Sequence, residues 1–160
     1  MILGRKREKD AEIGELLEFR FSPGYCDMAG GHHYENLHRD ETGQWVIVSR
    51  NRNVFSDPAS VMTYAVSEEA VREFVSFIAE KKVLELEDRK DSDLFITDYS
   101  PWSFTFVFSN PSEKSLRTKI CTLAEYKMYS DEDRRLIDEL EQRFLAMRGE
   151  IISETTEEDS

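Results

Sequence analysis

Hydrophobic and polar residues alternate along much of the chain, and the period changes at legible places. Leu17, Phe19 and Phe21 alternate with Glu18, Arg20 and Ser22. That is the period-two signature of a half-buried strand. Pro23-Gly24 stops it. His33 to Arg39 can form a second strand. Asp40-Glu41-Thr42-Gly43 then supplies hairpin chemistry before a third strand, QWVIVSR, from Gln44 to Arg50. VMTYAV, Val61 to Val66, reads as a fourth. From Ser67 the period becomes helical: Val71, Phe74, Val75 and Ile78 share one face. Ser67 is an N-cap candidate, with Glu68 and Glu69 at the positive pole and Val66 and Val71 as a staple. This predicts a helix over Ser67 to Lys82.

The charged stretch from Glu85 to Ser100 reads as a loop. WSFTFVFS follows as a strand, with Trp102, Phe104, Phe106 and Phe108 on one side. Asn110-Pro111-Ser112 turns the chain into a return strand through Leu116, Thr118 and Ile120. Ser130 caps a last helix whose stripe is Leu136, Ile137, Leu140, Phe144 and Met147, with Gly149 placed as its left-handed C-terminal stop. The predicted order is β-β-β-β-α-β-β-α. This is an α+β two-layer sandwich with a mainly antiparallel sheet of about six strands and both helices on one face.

The stretches FRFSPGYCDMAGG (Phe19 to Gly31), SEEAVREF (Ser67 to Phe74) and SPWSFTFVF (Ser100 to Phe108) resemble a group of small bacterial α+β proteins of unknown function. The resemblance implies the fold and brings no catalytic residues with it.

Composition narrows the picture. The chain of 160 residues carries 33 acidic against 21 basic residues, a net charge of -12. Nucleic-acid binding requires a positive surface that displaces phosphate counterions, so no nucleic-acid partner is expected. Docking on an anionic membrane is disfavoured for the same reason, and no stretch approaches the apolar length of a span. Acidic Glu150, Glu154, Glu157, Glu158 and Asp159 close the chain without a base. Residues 151–160 therefore read as a solvated, disordered tail and 1–14 as a loose start to a single domain over 1–150. Two cysteines, Cys26 and Cys121, give no disulfide framework, and no leader pattern opens the chain. The expected compartment is the cytoplasm.

Candidate chemistry concentrates in YCDMAGGHHYENLH. Tyr25, Cys26, Asp27, His32, His33 and His38 make this the binding-loop candidate. Cys26, Asp27 and His33 are ligand types for a zinc-like divalent metal. His32 and His33 are adjacent, so a strand would point them to opposite faces. His32 and His38 would share a face but stand roughly 20 Å apart. A metal site therefore needs Cys26 or Asp27 to fold back over Gly30-Gly31. Asp91-Ser92-Asp93 opens no calcium loop, because Ile96 and Trp102 occupy the positions that require Gly and Glu. No nucleophile elbow, phosphate-cradling loop or zinc-protease motif occurs.

Three functions follow as expectations. The first is a non-catalytic module that binds another protein. The second is a metal-binding or metal-dependent protein using the Cys26–His38 loop. The third is an immunity or inhibitor protein for a basic partner. Val46, Val48 and Val107, near Tyr64 or Met62, suggest a second apolar sheet face that could serve docking or homo-oligomer formation.

Overall fold

A computed structural model of the chain describes residues 14–22, 32–52, 58–89, 103–109, 118–124 and 126–157. Seven strands form one sheet: β1 (Leu16–Ser22), β2 (His32–Arg39), β3 (Trp45–Arg52), β4 (Ala59–Ala65), β5 (Ser103–Ser109), β6 (Thr118–Ala124) and β7 (Ile151–Glu157). Their spatial order is β6-β5-β1-β2-β3-β4-β7, and every pairing is antiparallel. Helix α1 (Glu68–Glu80) follows β4, and α2 (Asp131–Ala146) lies between β6 and β7. Short 3-10 turns, η1 (Val83–Arg89) and η2 (Tyr126–Met128), follow α1 and β6. The α+β class and the antiparallel sheet match the hydrophobic pattern.

Local chemistry explains the element boundaries. The Ser67 hydroxyl accepts the Ala70 N–H at 3.0 Å, and the Ser130 hydroxyl accepts that of Asp133 at 3.2 Å. Each satisfies an orphan donor of a first helical turn. In the β2–β3 hairpin, Asp40 Oδ1 accepts the N–H groups of Thr42 (2.9 Å) and Gln44 (3.1 Å) and the Thr42 hydroxyl (2.7 Å). The Thr42 hydroxyl, chiefly, holds the exposed Asp40 carboxyl below its ordinary value. Gly43 follows at φ +88°, a conformation that favours glycine.

Phe19 sits at the centre of the core. It is fully buried, and its ring meets Phe74 of α1 at 5.1 Å, Phe144 of α2 at 4.8 Å and Phe106 of β5 at 4.9 Å. Both helices thus cover the face that carries Phe19, Leu37, Ile47, Phe104 and Leu123. Contacts of this kind make a buried Phe worth about 3–5 kcal/mol against Ala.

The structure corrects several details of the pattern. Leu17 was expected inside, yet it is 41% exposed while Leu16 is buried. A register shift between Leu16 and Glu18 against β5 is the cause, since one extra residue reverses the side-chain phase. Gly149 adopts no left-handed stop. Its N–H donates to the Ala65 carbonyl at 2.7 Å, and a Cβ there would lie 2.6 Å from the same oxygen. The glycine is needed for close backbone approach. Instead of a tail, residues from Ile151 form the seventh strand, so the strand count and the final element differ from the predicted order. Part of the expected Glu85–Ser100 loop is the η1 turn, and residues 90–102, including Trp102, lie outside the described residues.

The surplus apolar face also resolves differently. Tyr64 pairs with Ile47 and Met62 with Ser49, so both belong to the helix-bearing face and not with Val46 and Val48. On the opposite face Val46 and Val107 are already buried. Among the described residues, no helix is long and apolar enough to cross a membrane.

Candidate functional site

Because β2 is extended from His32 to Arg39, the histidines cannot gather on it. His33 and His38 lie on opposite faces, towards opposite ends of the strand. Tyr25, Cys26 and Asp27 lie outside the described residues, as does the His32 side chain. Among the described residues no group of three or more His, Cys, Asp or Glu side chains could hold a metal ion.

His33 instead joins a polar corner on the helix-bearing face. Its Nε2 lies 3.1 Å from Glu35 Oε1, and the Ser49 hydroxyl donates to the same oxygen at 3.1 Å. Arg148, just past α2, also reaches Glu35 Oε1 and stacks over the Tyr64 ring at 4.9 Å. The Glu35 side chain is 0% exposed. A carboxylate so placed must be paired, and three donors converge on one of its oxygens. Among the described residues Glu35 Oε2 and Arg148 Nε have no hydrogen-bond partner. The sequence did hold a signal for this corner. Glu35 occupies the inward phase of β2 between His33 and Leu37, where an apolar residue is the rule. Arg148 could not be matched to it from sequence, being 113 residues away.

His38 belongs to a separate network on the other face. Its Nδ1 lies 3.1 Å from Asn36 Oδ1, and the Asn36 amide donates to Glu18. Arg20 forks onto both Glu18 oxygens at 2.9 and 2.8 Å. This Arg20 contact, reinforced by Asn36 and opposed by burial, holds the Glu18 carboxyl below its ordinary value. Nearby, an open groove of about 770 Å3 runs between α1 and the ends of β1, β2 and β3. Arg39 roofs Trp45 there at 4.6 Å and pairs with Glu68 at 2.9 Å. Arg39 is also the chief reason that the exposed Glu68 carboxyl lies below its ordinary value.

The two edges of the sheet differ sharply. At the β6 edge the Thr122 N–H, which would otherwise point to solvent, donates to the Glu87 carboxylate of η1 at 2.7 Å. The Cys121 thiol contacts the Leu84 carbonyl of the same turn at 3.9 Å. Cys121 is thus a packed residue at a covered edge. At the β7 edge all seven residues are exposed, including Ile151 (53%) and Ile152 (54%).

The ladder fixes which β7 groups face outward. Ala65 turns both backbone groups towards the β7 side: its N–H donates to Glu150 O at 2.8 Å, and its carbonyl accepts from Gly149. By antiparallel alternation Thr63, Val61 and Ala59 do the same, opposite Ser153, Thr155 and Glu157. Glu154 and Thr156 therefore direct their N–H and C=O groups away from the sheet. This arrangement is a template for a further strand. Sequence reasoning overlooked it because acidic residues masked the β-branched content of IISETTE.

No family model, no curated protein and no solved structure matches this chain.

Proposed function

We propose that the protein is a non-catalytic binding module that takes up another protein along the β7 edge. The observation that carries this reading is the asymmetry of the sheet. One terminal strand has the outward Thr122 amide capped by Glu87, while the other offers seven exposed residues with a half-exposed isoleucine pair. Strand addition draws affinity from main-chain hydrogen bonds and specificity from alternate side chains. The acidic character of the edge agrees with the reading of an inhibitor for a basic partner, which is one form of the same activity.

The test is a proline substitution. Thr156→Pro removes an outward N–H and leaves the β4 ladder intact, so the fold should survive. Peptides selected from a random displayed library against the wild-type protein should slow amide exchange at Glu154 and Thr156 and lose binding to this variant. Selected peptides that protect only other elements, and bind the variant equally well, would refute the reading.

A further inference from the structure

We infer that the strand accepted at the β7 edge is cationic: an extended segment with Lys or Arg opposite Glu154 and an aliphatic residue against Ile151 and Ile152. The inference rests on the edge reading and adds the chemistry of the partner.

Glu157 and Glu154 differ in how they are satisfied. Glu157 pairs with Arg50 across two strands, on the face away from the helices. Glu154 stands opposite Met62 on the helix-bearing face, and among the described residues no cation answers it. Glu150 adds a further acid at the start of the strand, and Ile151–Glu157 contains no base. A partner strand running antiparallel continues the sheet as it stands. Its residue opposite Glu154 has its Cβ roughly 5 Å from that of the glutamate, a distance at which opposite charges help and like charges hurt. Two residues earlier it meets Thr156, where a β-branched residue fits. Two residues later it meets the isoleucine pair.

A second copy of this chain is the rival occupant. Two β7 strands side by side would bring Glu150, Glu154 and Glu157 of each together with no base in either strand. Each chain also carries a net charge of -12. Self-association therefore works against the electrostatics that favour a basic strand.

The experiment uses the full chain and two end-blocked seven-residue peptides of alternating valine and threonine, one with a central lysine and one with a central glutamate. Binding is read by amide shifts at Glu154 and Thr156, with sedimentation of the protein alone in parallel. The lysine peptide should bind about tenfold more tightly than its twin. Glu154→Lys should invert that order, and raising the salt should weaken only the lysine peptide. Equal binding of both peptides at β7 would overturn the cationic partner while leaving the edge reading intact. If neither peptide shifts those amides and the protein is a monomer, the edge reading falls as well. If the protein alone dimerises and protects the same amides, the occupant is a second copy and the inference is wrong.

Discussion

Replacing Arg148 with methionine tests the polar corner that ties α2 and β7 to the sheet. Arg148 is 28% exposed and bonds a Glu35 side chain that is 0% exposed. Stripping one partner from a fully buried ion pair costs about 3–5 kcal/mol, because the remaining charge stays buried. Two facts reduce that figure here. The arginine already sees solvent, and His33 and Ser49 still donate to Glu35 Oε1 at 3.1 Å each. Methionine also keeps an apolar stem over Tyr64. Arg148→Met should therefore cost about 2–3 kcal/mol. Glu35→Gln in the same background removes the stranded charge and retains an acceptor for His33 and Ser49. The double variant should recover about 1–2 kcal/mol relative to additive single effects. Urea unfolding of the four proteins, with unchanged m-values, supplies the cycle. Amide exchange should quicken first in Ile151–Glu157, since Arg148 stands two residues before Glu150, where the strand begins its pairing. A loss below about 0.5 kcal/mol for Arg148→Met, or strict additivity, would refute the coupling between these residues.

Further predictions follow from single contacts. Gly149→Ala would push a Cβ to 2.6 Å from the Ala65 carbonyl, so it should cost about 1–3 kcal/mol by urea unfolding, and a neutral result would mean the α2–β7 joint yields freely. The lowered Glu18 carboxyl stabilises the fold above the unfolded carboxylate range, and that contribution is lost as pH falls through the folded value. Arg20→Gln should flatten this acid limb by less than about 1 kcal/mol, because Arg20 is 58% exposed, and an unchanged acid limb would count against the pairing. Glu141 is shifted the other way, raised by burial and then by Asp138, so its ionisation opposes folding. Glu141→Gln should accordingly stabilise the protein at neutral pH by a few tenths of a kcal/mol, roughly, and the gain should vanish in acid. Glu87→Ala uncovers the Thr122 N–H and should speed its exchange about tenfold, whereas unchanged exchange would show that the carboxylate does not guard that edge.

How far the sequence could reach is clearest element by element. Ser67 and Ser130 announced their helices because capping is local: a hydroxyl needs only the N–H three residues on. Asp40 to Gly43 announced a hairpin for the same reason. Phe104, Phe106 and Phe108 marked a core face because side chains alternate strictly along a strand. Where the alternation broke, at Leu16-Leu17, the sequence misled, since a bulge is decided against the neighbouring strand and leaves no mark of its own. The spread of the histidines was legible too, because alternation along an extended strand is local: β2 turns His33 and His38 to opposite faces, towards its opposite ends.

What the sequence determined by itself, then, was the class of fold, the helix starts, the hairpin and the acidic balance, all of which follow from short-range spacing and composition. Only the tertiary structure decided that Glu35 meets Arg148, that Gly149 must be small, and that IISETTE is a strand. It also decided that η1 caps the Thr122 amide at one edge of the sheet while the described residues of β7 at the other edge are exposed. Each of these depends on groups far apart along the chain, and their meeting is set by how the helices pack on the sheet, which no local pattern encodes.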